Sequence, residues 1–434
     1  MEGTLRESNA PRFRILMFPW LAHGHISPFM ELSKRLAKSN FQVYLCSTEI
    51  NLNFMKRSAK FDENSSDHAI EFVQLDLPDL PELPPHYHTT KNIPPHLEPT
   101  LKRAFHMAKT NFQNILNNLK PDLLVYDGFQ PWASELAALN HIPSVLFLVV
   151  GAVNLSFKIL AKLQESKAKE GDALDVFKSI ELSSDIVLVK SWRGIEGKYI
   201  DHLSSSCGKK LVAVGPLSNQ EDNGKEADSY SLIIEFLNSK DEASVVYVSF
   251  GSEYFLSKEE REEIAVGLEL SNANFIWVVR FPVGHAIGLE EALPEGFLER
   301  VKGRGMVVNG WAPQAKILGH RSTGGFVSHC GWGSVIESIY YGVPLLALPM
   351  HLDQPLHARL AVEIGVGIEI LKDEDGQIKR EEIARVINEV VVKKTEGKLQ
   401  GQKAIELSKK LREEGEEELH EAIEKLRSLC SKNK

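Results

Sequence analysis

The sequence predicts an α/β protein made of two doubly wound, parallel-sheet domains, and three observations carry that prediction. The chain has 434 residues, enough for two domains of ordinary size. Short apolar runs alternate with helical patterns in two series, one on each side of a polar stretch at 215–230. Strands that alternate with helices build parallel sheets through right-handed crossovers. In the second series, the run Gly325 to Ser328 breaks at His329-Cys330-Gly331-Trp332-Gly333-Ser334 and resumes as a helix expected from Val335. That is a strand, a glycine-broken loop and a helix in succession.

The elements follow in order. Ile15 to Phe18 reads as a strand and Pro19 to Ser27 as a loop. Pro28 is expected to open a helix with Phe29, Leu32 and Leu36 on one face. Val43 to Ser47 and Ile70 to Leu75 are strands; Leu123 to Tyr126 and Ser144 to Val150 flank a helical Trp132 to Leu139. Ile186 to Val189 and Leu211 to Val214 complete a first domain, 1–215. The segment GPLSNQEDNGKEADSY, rich in turn formers, gives a linker at 216–230. A second domain, 231–412, has strands at Val245 to Ser249, Phe275 to Val279, Met306 to Asn309, Gly325 to Ser328 and Leu345 to Leu348. From Glu396 the chain reads as helical and charged, with Gly415 as a break. Leu419, Ile423, Leu426 and Cys430 form an apolar stripe on a last segment, 413–434. That stripe suits docking on its own domain or on the first one.

Composition narrows the function. A net charge of −9 and a pI near 6.0 argue against a nucleic-acid or anionic-membrane partner. Cys46, Cys207, Cys330 and Cys430 lack metal or disulfide spacing, so reduced thiols and a cytoplasmic location are expected. The start MEGTLRESNAPRFR is polar and the apolar run after it is too short for a signal peptide, so none is expected, and the longest apolar run, Ile142 to Val153, is too short to span a bilayer. No integral membrane segment, no metal and no cofactor are expected, and a monomer is. A GxGxxG directly after a strand, which a dinucleotide oxidoreductase would carry, is not found.

The stretch from Trp311 to Gln354 carries the chemistry: WAPQAKILGHRSTGGFVSHCGWGSVIESIYYGVPLLALPMHLDQ. A helix N-terminus offers unpaired N–H groups and partial positive charge to a phosphate. Glycine at 331 and 333 lets phosphate oxygens reach the backbone, and His329 and Ser334 add hydrogen-bonding side chains. An indole, Trp311, opens the stretch, and a carboxylate–amide pair, Asp353 and Gln354, closes it. A stacking plane, a diphosphate cradle and a pair suited to sugar hydroxyls describe a nucleotide-sugar site.

On these residues the stretch resembles the donor-binding signature of plant family 1 UDP-glycosyltransferases. The resemblance implies two Rossmann-like domains facing across a cleft (GT-B type) and an inverting transfer of glucose. UDP-glucose would be a co-substrate rather than a cofactor. It implies that Trp311 stacks on uracil, that the Ala312 backbone reads its edge, and that Gln314 and Glu337 hold the ribose. Ser252, His329, Gly331, Trp332, Gly333 and Ser334 would surround the diphosphate, and Asp353 and Gln354 the sugar. Where the signature usually has Asn, this chain has Gly333. With the ending PMHLDQP, that variant resembles the branch that adds sugars to sugars already on a small molecule. A glycoside acceptor is therefore expected, with an aglycone as the alternative. UDP-xylose, UDP-galactose and UDP-rhamnose are alternative donors. A non-catalytic nucleotide-sugar binder is the reading from a different class.

The first loop, Pro19-Trp20-Leu21-Ala22-His23-Gly24-His25-Ile26-Ser27-Pro28, supplies a base. His25 lies beyond the carboxyl end of the first strand, where open parallel sheets bind ligands, and a neutral imidazole there could take a proton from an acceptor hydroxyl. The GH-x-x-P pattern of the family favours His25 over His23. A carboxylate on its second nitrogen would fix the tautomer and stabilise the imidazolium. Asp127, at the end of Leu123 to Tyr126, is the candidate; Asp122 starts that strand, at the wrong edge. The acceptor pocket is expected near Trp20, residues 129–132 and 151–200. Two stretches, Gln164 to Val176 and Phe281 to Glu291, are short beside the family pattern.

Overall fold

In the computed structural model, residues 12–59, 69–157, 172–217, 227–252, 254–282, 287–393 and 397–432 are described. Two sheets organise them. The first has seven strands: β1 (Phe13–Phe18), β2 (Phe41–Ser47), β3 (Ile70–Gln74), β4 (Leu123–Tyr126), β5 (Ser144–Leu148), β6 (Ile186–Val189) and β7 (Lys210–Ala213). Their order is β3-β2-β1-β4-β5-β6-β7, and the pairs from β3 to β5 are parallel. The second has β8 (Val245–Ser249), β9 (Asn274–Val279), β10 (Gly305–Asn309), β11 (Thr323–Ser328), β12 (Leu345–Ala347) and β13 (Gly367–Glu369). Its order is β10-β9-β8-β11-β12-β13, parallel throughout. In β4, β5, β6 and β8 every residue is buried, as parallel strands covered by helices on both faces require.

Both sheets reverse direction at their founding strand, between β1 and β4 and between β8 and β11. At such a reversal the loops leaving the carboxyl ends diverge and leave a crevice. The sequence places its candidate residues on these two edges.

By compactness the described residues form one unit of 12–147, 172–188 and 420–432, and another of 148–157 and 189–419. The second unit's sheet is packed on one side by Trp332, Val335, Ile336 and Ile339, and on the other, where Phe275 and Trp277 of β9 point, by Phe297, Ile383 and Ile387. Within the first unit, Phe18, Phe105, Phe112 and Trp132 form an aromatic knot beneath β1. Leu419, Ile423, Leu426 and Cys430 are all buried. In the last turns of that helix Arg427 donates to Ser39 O at 2.8 Å, and Lys432 pairs with Asp185 at 3.0 Å.

Several elements differ from the sequence reading. The first helix is His23–Lys38, and Pro28 lies inside it rather than opening it. The His25 and Ile26 N–H groups already close a turn on Ala22 O, both at 2.9 Å, and the carbonyl a residue at 28 would have used belongs to Gly24. The helix expected from Val335 runs Trp332–Tyr341, because Val335 N–H bonds Gly331 O. Gly415 breaks nothing: Gly397–Lys432 is one helix of 36 residues. A Cβ at 415 would come within 2.9 Å of Pro216 Cδ, so the glycine serves close approach. Strand β13, Gly-Ile-Glu and only partly buried, carries no apolar run to mark it. Parts of the linker (218–226) and of the two short stretches (164–171, 283–286) lie outside the described residues.

Candidate functional site

The first edge is built by register. Phe18 of β1 pairs with Tyr126 of β4, so the residues that follow each strand emerge side by side. Asp127 follows β4, and the helix carrying His25 follows β1 within five residues. Gln130 ties the edge down, its amide donating to Phe18 O at 2.8 Å. The result is a bond between His25 Nδ1 and Asp127 Oδ2 of 2.7 Å. Asp127 is almost wholly buried and the imidazole is 17% exposed. A carboxylate only accepts, so Nδ1 carries the proton and the Nε2 lone pair is the basic site. Phe129 lies against the ring at 5.3 Å. His23 packs on Phe54 at 4.1 Å and is buried. Asp122 stays at the opposite edge, accepting from the Arg14 N–H at 2.7 Å.

The second edge is built from four loops. Ser328 of β11 pairs with Ser249 of β8 and with Ala347 of β12, and Asn309 of β10 pairs with Val279 of β9. The loops after β8, β10, β11 and β12 therefore leave one side of the sheet, carrying Ser252, Trp311, His329 to Ser334, and Asp353 with Gln354. Each of the four holds a residue in the left-handed region: Gly251 (φ 76°), Gly310 (φ 100°), Cys330 (φ 65°) and Leu352 (φ 58°). For Cys330 and Leu352 that costs about 1–2 kcal/mol each, and it reverses the direction of successive N–H groups.

Within this edge Gln314 Nε2 donates to Glu337 Oε2 at 2.7 Å, and Ser334 Oγ lies 3.4 Å from the same nitrogen. Burial raises the Glu337 carboxyl above its usual range. Trp311 is 52% exposed, whereas the Ala312 side chain is buried. His329 sits between two glycines. A Cβ at 251 would meet its Nε2 at 2.5 Å, and one at 331 at 2.6 Å. Burial first, and His351 next, push its imidazole down to about 4, so it is neutral at pH 7. Its buried Nδ1 has no hydrogen-bond partner among the described residues. Ser252 is half-buried just beyond Gly251.

Trp332 differs from expectation. Its indole is buried, its N–H is bonded to Lys190 O at 2.6 Å, and the His357 ring lies tilted against it at 5.1 Å. Only its backbone could serve a ligand. Gln354 is buried too, its Oε1 accepting from Met350 and His351 N–H at 2.9 and 3.0 Å, which shapes its own loop. Trp132 belongs to the core and not to a pocket.

Sequence reasoning missed two supports. Asn154 donates to Asp353 Oδ2 at 3.0 Å. Glu196, pushed up to about 7 by burial, accepts the N–H groups of Ala152 and Val153 at 2.9 and 2.8 Å and holds the turn from which Asn154 reaches. Neither lies in a motif. No Asp-x-Asp metal motif was expected; the sequence does contain the triplet Asp373-Glu374-Asp375, and it is a closed turn. Asp373 Oδ1 takes the Asp375 and Gln377 N–H groups at 3.1 and 2.7 Å, and its carboxylate pairs with Lys379. Among the described residues, no cluster of three or more His, Cys, Asp or Glu could hold a metal ion, and no helix is long and apolar enough to cross a membrane.

These edges can be set beside known proteins. A family model described as "Glycosyltransferase, N-terminal domain" matches residues 12–219, and one described as "UDP-glucoronosyl and UDP-glucosyl transferase" matches 218–406. A Panax ginseng protein, "UDP-glucosyltransferase 29", is 49% identical over 98% of each chain. The chain belongs to the plant UDP-glycosyltransferases. This UDP-glycosyltransferase is also 47% identical to "Beta-D-glucosyl crocetin beta-1,6-glucosyltransferase" from Gardenia jasminoides, over 96% of this chain and 98% of that one. Among solved structures, a Glycyrrhiza uralensis UGT complexed with glycyrrhetinic acid 3-O-monoglucuronide superposes with a TM-score of 0.85 at 25% identity, covering 97% of both chains. The two Rossmann-like sheets are thus those of the GT-B fold.

Proposed function

We propose that this glycosyltransferase moves glucose from UDP-glucose to a hydroxyl of a small-molecule glycoside, with inversion to a β-linkage. The observation that carries the chemical part is the His25–Asp127 bond. In this reading Nε2 of His25 takes the proton of the acceptor hydroxyl, and the oxygen attacks the anomeric carbon from the face opposite UDP. Asp127 holds the ring with its Nδ1 proton inward and stabilises the imidazolium that forms. The departing diphosphate gathers negative charge, which the N–H groups opening Trp332–Tyr341, Ser334, Ser252 and a neutral His329 meet as preorganised donors. Trp311 stacks on the uracil, Gln314 and Glu337 take the ribose hydroxyls, and Asp353 and Gln354 face the sugar. Holding both substrates in place removes orientational freedom and supplies much of the rate.

A glycoside as acceptor is supported by the Gardenia relative, whose name specifies glucosyl crocetin, and by the monoglucuronide bound to the Glycyrrhiza UGT. The test offers an aglycone and its monoglucoside side by side with UDP-glucose and follows product masses. A hexose added to the monoglucoside, with a β anomeric coupling by NMR, is expected. Exclusive use of the aglycone overturns the acceptor assignment, and an α product overturns inversion. Activity should survive a chelator; inhibition would contradict a metal-independent transfer.

A further inference from the structure

We propose that Asn154 is a positioning residue for the transferred sugar: it holds Asp353 by one carboxylate oxygen and so fixes how the other meets the hexose hydroxyls. The inference rests on the reading of Asp353 as a sugar-facing group. Asn154 is only 3% exposed, and its Nδ2 donates to Asp353 Oδ2 at 3.0 Å. Its Oδ1 is buried and has no hydrogen-bond partner among the described residues. A buried asparagine with an unsatisfied acceptor costs stability that an apolar side chain of the same branching would not. The bond to Asp353 accounts for the amide being there, and it also sets which way the amide faces. Turned over, it would put an oxygen against a carboxylate. The turn that carries it is rigid. Glu196 accepts from the N–H groups of Ala152 and Val153, and from the Ser191 hydroxyl at 2.5 Å. A Cβ at Gly151, which starts the turn, would come within 3.0 Å of Glu196 Oε1 and 3.1 Å of His357 Nε2. His357 lies one turn along the helix Gln354–Glu363, wholly buried, with Nε2 3.9 Å from the same Asp353 Oδ2. That oxygen is thus turned inward between an amide and an imidazole, while the Asp353 side chain keeps 23% of its surface exposed. The remaining oxygen, Oδ1, is left to accept from a sugar. A carboxylate held by one oxygen has its rotamer set before the ligand arrives, so less freedom is lost on binding. A fixed acceptor also selects among sugars by where their hydroxyls lie.

The experiment measures UDP-glucose and UDP binding by calorimetry, without acceptor, in the wild type, Asn154→Leu, Asp353→Asn and the double variant. Leucine keeps the branching of the amide and removes its donor, and a thermal melt checks each fold. Asn154→Leu should weaken UDP-glucose roughly five- to twentyfold and leave UDP within about twofold, because UDP has no sugar for Asp353 to meet. Asp353→Asn should show the same pattern. The double variant should fall within about twofold of the weaker single one, since one residue acts through the other. Asn154→Asp keeps the shape but sets a second carboxylate against the first, and should bind UDP-glucose more weakly than Asn154→Leu. Unchanged UDP-glucose affinity in Asn154→Leu, beside a loss in Asp353→Asn, overturns the proposal alone. Equal losses for UDP and UDP-glucose also overturn it, by making Asn154 a support of the whole loop, and so do fully additive losses in the double variant. An Asp353→Asn variant with intact UDP-glucose affinity would sink the reading of Asp353 and the proposal with it.

Discussion

At the β1/β4 reversal the chain places an imidazole against a buried carboxylate, 2.7 Å apart. At the β8/β11 reversal it places glycines, a neutral histidine and backbone turned outward by residues of positive φ. The two sheets share the same winding, yet one edge presents paired side chains and the other largely main chain. None of the residues 19–27 or 127–130 has a positive φ, whereas all four loops of the second edge contain one. On the proposed function the physical reason lies in the tasks. Moving a proton needs a group that changes charge near neutrality, which only a side chain provides. Holding a diphosphate needs several fixed donors close together, which backbone N–H groups provide at little entropic cost.

That contrast makes the two edges separable by mutation. The largest effect is expected from His25→Ala, which should lower turnover roughly 10²–10⁴-fold and leave UDP affinity unchanged by calorimetry. Near-normal turnover would move the base elsewhere, and His23 would be tested next. Asp127→Asn should approach the same loss, because an asparagine can donate to Nδ1 and turn the tautomer round; a rate close to wild type would mean the carboxylate does not orient the ring. On the other edge, Gly331→Ala forces a Cβ onto His329 at 2.6 Å. It should cost about 1–3 kcal/mol of stability and weaken UDP binding. A variant with unaltered melting and affinity would show that the loop yields freely. The smallest effect concerns pH. Folded His329 titrates near 4 against its ordinary 6.5, so between those values the unfolded chain binds more protons. Its contribution is intact above pH 6.5 and is lost as pH falls towards 4. The melting temperature should drop across that window, less steeply in His329→Gln; identical slopes would separate the histidine from the acid sensitivity.

Much of this was legible in the residues. Strands buried on both faces announce themselves as continuous apolar runs, so β4 could be read with Asp127 at its end. The Trp311 to Gln354 stretch could be read because its glycines and polar residues lie in one segment. What escaped depends on distant neighbours. Gly415 looks like a helix breaker until Pro216 is seen against it. Trp332 looks like part of the cradle until its N–H is found on the Lys190 carbonyl. Asn154 and Glu196 have no local signal, because their partners are fixed only by the fold. Pro28 misled because proline at a helix start and proline one turn inside look alike in sequence.

The pairing of Phe18 with Tyr126 has a practical corollary. Because the proposed proton-transfer couple, His25 and Asp127, hangs from two adjacent strands, exchange of the surrounding loops should leave it in place. Chimeras that graft acceptor-side loops from a relative should alter which scaffold is chosen while the His25–Asp127 bond stays intact, so diversification of substrate range and preservation of chemistry need not compete.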